Sequence, residues 1–166
     1  MATKPKTDPL ARELVATWKL HQQVLLALLQ RVPEKHLGSL PTGSGGRDVA
    51  RQFAHINRNR VGWLHFHATG TRPELPASSK GERPKKKELS AALRDSGKRV
   101  EELLAKSLRK EARVRLFGKS PARWMGYLVA HESHHRGQIL LALRQSGVVL
   151  DEKVTEALWG KWIFGK

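Results

Sequence analysis

The stretch AHESHHRGQIL, residues 130–140, places His131, Glu132, His134 and His135 within five consecutive positions. His131 and His135 are four apart, so on a helix they stack on one face, separated by about 40° around the axis. Two imidazoles so placed are a natural pair of metal ligands, since the neutral ring nitrogen binds divalent ions. Trp124, Leu128, Ile139 and Ala142 fall within about 80° of His131 on the same wheel, so the pair faces an apolar interior. Bare ring nitrogens are costly there unless they meet a hydrogen-bond partner or an ion. The spacing leaves both outcomes open: a metal site, or two core histidines bonded to other side chains.

Residues 131–135 also spell H-E-x-x-H, in which a zinc protease uses two His as ligands and the Glu as general base. Glu156 would then be a downstream third ligand. That reading requires a sheet edge for an extended peptide, and no segment of this chain alternates as a strand does. Glu132 lies about 100° from His131, at the edge of the inward stripe. It could orient a ligand imidazole, act as a base at a cavity mouth, or pair on the surface with Arg136 at i, i+4. Gln138 falls close to the His131 line, one turn beyond His135, where it could contact substrate, hold a ligand or satisfy a buried backbone group. Glu132 and Gln138 are the candidate catalytic residues.

A third ligand must come from another segment. In FAHINRNRVGW, residues 53–63, His55 sits near the inward arc with Asn59, Gly62 and Phe66 on its own side. Gly62 leaves room there for a neighbouring helix or a ligand. The candidate metal ligands are therefore His55, His131 and His135. His21 lies in a core stripe between Trp18 and Leu25 and reads as a base behind the ligands or as a satisfied core histidine rather than a fourth ligand. His65 and His67 point away from His55 and are expected at the surface or beside a loop. His134 is expected at the rim, and His36 in a loop.

Four helical segments must position these groups. The first runs from about Pro9 to Val32, with Leu14, Trp18, His21, Leu25 and Leu28 at spacings of three and four. PEKHLGSLPTGSGG, with two prolines and four glycines, interrupts it. The second runs from about Arg47 to His67, with Val49, Phe53, Ile56 and Trp63 as its apolar arc. ATGTRPELPASSKGERP is a long polar crossover, so the third helix need not be an antiparallel neighbour of the second. The third spans about Lys86 to Arg109, with Leu89, Leu93, Val100, Leu104 and Leu108 inward. The fourth starts at Ser120 as N-cap with Pro121 at its first position, and ends near Gly147. The tail, 148–166, suggests a short further helix whose Trp159 and Trp162 close one end of the bundle or form a dimer contact. The expected architecture is all-α, a four-helix bundle in one domain, 1–166, with a basic N-terminal tail, 1–8.

The chain has 166 residues and no cysteine. That excludes disulfides, thiolate zinc sites and a cysteine nucleophile, so any metal is held by imidazole and oxygen. No stretch approaches the roughly 20 apolar residues of a membrane span, and no signal-type apolar core follows the N-terminus. A cytoplasmic protein without membrane contact is expected. The formal net charge is +16, and residues 80–119 carry fourteen Lys/Arg against six Asp/Glu. Such a face attracts polyanions, and nucleic acid is a candidate partner. No zinc-finger spacing, stacking motif or recognition-helix pattern accompanies it, and a solvated helix face explains the same charge.

The combination of FAHINRNRVGW with HESHHRGQIL resembles the DinB-like family of bacterial metalloenzymes, over about residues 10 to 147. Its members carry a histidine on the second helix and an H-x-x-x-H-R-G-Q-I type motif on the last long helix. The resemblance implies a four-helix bundle whose three-histidine site maps onto His55, His131 and His135, completed by water or substrate. It also implies a divalent metal, zinc or nickel first, with iron or manganese as alternatives. The family includes enzymes that use low-molecular-weight thiols, so the implied activity is that of a hydrolase or a thiol S-transferase acting on a small-molecule substrate. A homodimer is a further expectation. The rival readings are a basic nucleic-acid-associated protein and a bundle that binds metal without catalysis.

Overall fold

The computed structural model describes residues 8–43, 45–75, 83–148 and 151–164. Four long helices form the body: α1 (Pro9–Arg31), α2 (Val49–Thr69), α3 (Lys86–Leu108) and α4 (Pro121–Gln145). The tail adds α5 (Glu152–Thr155), a wide turn at Glu156–Gly160 and α6 (Lys161–Phe164). Among the described residues there is no strand, and no helix is long and apolar enough to cross a membrane. The fold is the all-α bundle read from the periodicity.

Helix ends follow from local chemistry. Asp8 accepts the Leu10 N–H at 3.1 Å ahead of Pro9, and Ser120 Oγ accepts the Arg123 N–H at 3.2 Å ahead of Pro121. In both, a side-chain oxygen satisfies a backbone donor that the first turn leaves bare, and proline removes another. α2 begins two residues later than its apolar pattern suggested, because Asp48 caps it through the Arg51 N–H at 2.8 Å. It stops at Gly70, whose φ of +83° lets its N–H reach the Phe66 carbonyl at 2.8 Å. Gly147, with φ +75°, follows α4 as its sequence position implied.

Cross-helix bonds give the directions of the helices. Gln22 bonds to Leu93, Trp18 to Gly97 and Lys19 to Glu101, so α1 and α3 run antiparallel. Asp48 pairs with Arg83 and Arg60 with Leu93, so α2 and α3 run in the same direction. Gln52 meets His135 and Asn59 meets His131, so α2 and α4 run antiparallel. α3 therefore starts at the end of the bundle where α2 began, which is why a long connection separates the two helices in the sequence. α1 and α3 approach closely because residue 97 is glycine. A Cβ there would lie 2.5 Å from the Gln22 side chain, and Trp18 Nε1 donates to the Gly97 carbonyl at 2.9 Å.

The interior is divided into two apolar clusters with a polar layer between them. One cluster includes Val24, Leu28, Phe53, Ile56, Leu93 and Ile139; the other includes Trp18, Leu64, Val100, Leu104, Trp124 and Leu128. Each long helix changes character at the same level, contributing His21 and Gln22, Arg60, Ser96, and Glu132 with His135. Of the tail, Leu158 is buried and Trp162 packs on the first cluster. Trp159 stays largely exposed, with the Arg136 guanidinium 5.4 Å above its ring.

Candidate metal centre

The structure brings His55 of α2 and His131 and His135 of α4 together, with one ring nitrogen from each lying within 4.8 Å of the others. His131 Nε2 and His135 Nε2 are 3.1 Å apart. At the usual zinc–imidazole length of about 2.0–2.1 Å, that separation corresponds to an N–metal–N angle of about 95–102°. The His55 ring centroid is 4.6 Å from that of His135 and 5.3 Å from that of His131. Nitrogens sharing one tetrahedral ion stand about 3.3–3.4 Å apart, so side-chain rotations that close the widest pair by up to about 1.4 Å would bring all three within reach of one ion.

Neighbouring amides orient two of these rings. Gln52 Nε2 donates to the Arg47 carbonyl at 3.4 Å, which turns Gln52 Oε1 toward His135 Nδ1 at 2.6 Å. Nδ1 must then carry the proton, leaving the Nε2 lone pair facing the other histidines. Asn59 Nδ2 lies 3.3 Å from His131 Nδ1, and its Oδ1 accepts from the Tyr127 hydroxyl at 3.4 Å. In this arrangement His131 donates Nε2–H to His135 Nε2, a proton chain suited to the metal-free protein. The Asn59 amide turned by half a rotation presents oxygen to Nδ1–H, as an ion on Nε2 requires. Gln52 and Asn59 sit three before and four after His55, on its own face of α2.

All three imidazoles are held neutral. Burial, followed by the charge of Arg47, the neighbouring His131 and Arg58, lowers the pKa of His55 to about 4. Burial and the adjacent His131 and His55 lower that of His135 to about 3. His131 is lowered by burial, against an opposing pull from Glu132. Three neutral imidazoles converging in a half-buried site, with the His131 proton moved to Nδ1, are a donor set suited to a borderline divalent ion.

Behind the histidines lies a buried ion pair. Arg60 donates Nε–H to Glu132 Oε1 and Nη2–H to Oε2, both at 2.6 Å, and its Nη1 reaches Gln22 Oε1 at 2.6 Å and the Leu93 carbonyl at 3.2 Å. His21 Nε2 donates to Glu132 Oε2 at 2.8 Å. The Arg60 guanidinium also stacks 4.9 Å from the Trp18 ring centre. Burial alone would raise the Glu132 pKa, but Arg60 and then His21 bring it down to about 2. Glu132 is thus not the surface partner of Arg136. It is fully enclosed and ties α4 to α1 and α2. His21 is a core histidine bonded to that carboxylate.

Gln138 is half-buried one turn beyond His135, and His134 is exposed at the rim. Of the two expectations for His67, the place beside a loop holds, since it is bonded to Arg115 of the 109–119 connection, and the surface position is corrected. The residue is buried at 5% exposure because α2 continues to Thr69 and carries residue 67 onto the arc of Arg60 and Leu64. Its Nδ1 accepts the Arg115 N–H at 3.1 Å, and its ring meets Trp124 edge-on at 4.6 Å. Burial and the nearby Arg115 lower its pKa to about 4.

An all-α bundle with three imidazoles clustered between its second and fourth long helices is the class that fold and site define. Within that class, the DinB family model matches residues 1–156, and the chain belongs to the DinB family. Nothing among curated proteins matches it.

Proposed function

We propose that the protein is a divalent-metal-dependent enzyme whose ion is held by His55, His131 and His135, and that it acts on a small-molecule substrate by hydrolysis or by transfer to an exogenous low-molecular-weight thiol. The observation that carries this reading is the convergence of three neutral imidazole nitrogens from two helices. Zinc or nickel suits the all-nitrogen donor set best, with iron or manganese as alternatives. An ion bound by three neutral ligands retains its full charge and supplies Lewis acidity, making water or a thiol nucleophilic near neutral pH.

The chain's own residues have distinct tasks. Gln52 holds His135 in the tautomer that turns its lone pair inward. Asn59, steadied by Tyr127, does the same for His131 once its amide has turned. Of the two candidate catalytic residues, Glu132 acts at a distance. Its carboxylate is saturated by Arg60 and His21, and it fixes α4 against α2, setting the spacing between His55 and the α4 pair. Gln138 lies one turn beyond His135, on the side away from Tyr127, where it would border the ion from the opposite side and help to hold its histidines. The chain supplies no thiol, so in a transfer reaction the thiol comes from solution.

The test is turnover by metal-reconstituted protein on a panel of esters, epoxides and activated double bonds, with and without added low-molecular-weight thiol. His135→Ala serves as the control. Metal-dependent turnover that disappears in the variant supports the enzyme. Metal that raises thermal stability without turnover would instead indicate a structural ion.

The net charge favours a second reading, in which the 80–119 face binds nucleic acid. Lys87, Arg94, Lys98 and Lys106 are exposed along α3. It predicts an affinity that falls steeply with salt and is indifferent to removal of the histidines. A homodimer through the exposed Trp159, Ile163 and Phe164 and a cytoplasmic location complete the proposal. Light scattering on the protein and on Ile163→Lys tests the dimer.

A further inference from the structure

A hollow of about 400 Å3 opens beside His131, lined by α2, the start of the crossover and Tyr127 of α4. That size lies in the range of small-molecule sites. One layer of side chains joins the hollow to the histidines: the Tyr127 ring stacks on the His131 ring at 5.8 Å, and Asn59, which bonds His131, lines the wall. Trp63 meets Tyr127 at 5.7 Å and Phe66 at 5.8 Å, both edge-on, so three flat faces border one space. Gly62 forms part of the same wall. A Cβ built there would meet one atom within 4 Å, the Leu75 Cδ1 at 3.9 Å, so the missing side chain leaves usable room.

Charge selects among flat ligands. Arg58 and Arg72 line the hollow with no carboxylate among its lining residues. Arg72 is exposed, and Arg58 donates one N–H to the Leu75 carbonyl at 2.9 Å while contributing its charge. Arg47 and Arg58 also lower the pKa of His55, so positive charge stands on the histidine side of the hollow as well, with Glu74, exposed between Pro73 and Leu75, the neighbouring acidic residue. We propose that this hollow binds a small organic anion with a planar, unsaturated body, its ring lying against Tyr127 and Trp63 and its carboxylate meeting Arg72 and Arg58. This assigns a substrate class to the proposed metal site and rests on that reading for the chemistry alone, since the pocket is formed by side chains that need no ion.

The experiment uses full-length, chelator-treated protein and calorimetric titration with 2-naphthoate and its uncharged analogue 2-naphthamide. Working without metal prevents the carboxylate from binding an ion directly. Naphthoate should bind more tightly than the amide by about fivefold to tenfold, the worth of a charge-assisted contact at a partly exposed site. Arg72→Gln should erase most of that difference. Gly62→Leu, which fills the hollow, should weaken both ligands at least about tenfold, with Trp63→Leu as a second test should the first variant fold poorly. His135→Ala should bind naphthoate as the wild type does. Equal affinity for acid and amide, or wild-type affinity in both the Gly62 and Trp63 variants, would overturn the proposal. Naphthoate binding by a protein that takes up no zinc or nickel on reconstitution would leave the pocket standing and refute the metal reading; metal uptake by a protein that binds neither acid nor amide would do the opposite.

Discussion

Replacing Glu132 by glutamine keeps its shape and removes its charge, leaving the Arg60 guanidinium enclosed at 0% exposure without a counter-ion. Two routes give the size of the effect. A carboxyl whose pKa falls from 4.5 to about 2 on folding contributes about 3 kcal/mol at neutral pH, since each pKa unit is worth about 1.4 kcal/mol. Removing one partner of a buried pair costs about 3–5 kcal/mol. Glu132→Gln should therefore lose about 3 kcal/mol in denaturant unfolding of the metal-free protein. The corresponding fall in Tm is about 10 °C at this chain length. The sign with pH follows from the depressed folded pKa. The contribution is complete above about pH 4.5 and is lost as the pH falls through about 2, so the wild type should weaken over that window and the variant should lack that component of the decline. The double variant Arg60→Met/Glu132→Leu should recover part of the loss, because no unpaired charge is left, while His21 Nε2 and Gln22 Oε1 lose their partners. A Glu132→Gln protein within about 1 kcal/mol of wild type would refute the view that this pair locks α2 to α4.

Gln52→Leu removes the acceptor for His135 Nδ1–H and should weaken metal binding by about tenfold to a hundredfold in competition with a chromophoric chelator, with little change in fold. In the metal-free protein, NMR titration should find His135 near pH 3 and His55 near pH 4. Because these folded values lie below the unfolded 6.5, the two histidines add stability above about pH 6.5 that declines as the pH falls toward 4. Gly97→Val should cost about 1–3 kcal/mol by forcing the Gln22 side chain off the α1–α3 contact, read from urea unfolding. Ser120→Ala should cost about 1 kcal/mol through loss of the α4 cap, read in the same way.

Much of this arrangement was legible in the residues themselves. Apolar spacing placed all four long helices because each buries a continuous stripe, and the four-residue interval between His131 and His135 put both on the inward face. His55 could be chosen over His65 and His67 because it shares a face with Asn59 and Gly62. Arg60 was not legible, although it falls four residues after Ile56 on the buried arc. In a chain with 31 Lys and Arg, the run NRNR reads as solvated surface, and nothing local reveals that Glu132, 72 positions away, encloses it. His67 was missed for a related reason: its burial depends on Trp124 and on the 109–119 connection folding over it, contacts that no wheel drawn on α2 contains. The role of Gln52 likewise becomes visible only once α2 and α4 are seen to run antiparallel.

The central claim is that three imidazoles from two helices share one cation, and metal stoichiometry tests it most directly. Protein prepared without a histidine tag, dialysed against zinc or nickel and freed of excess ion, should retain about one equivalent per chain, while His55→Ala and His135→Ala retain far less. Equal metal content in the wild type and both variants would contradict the account.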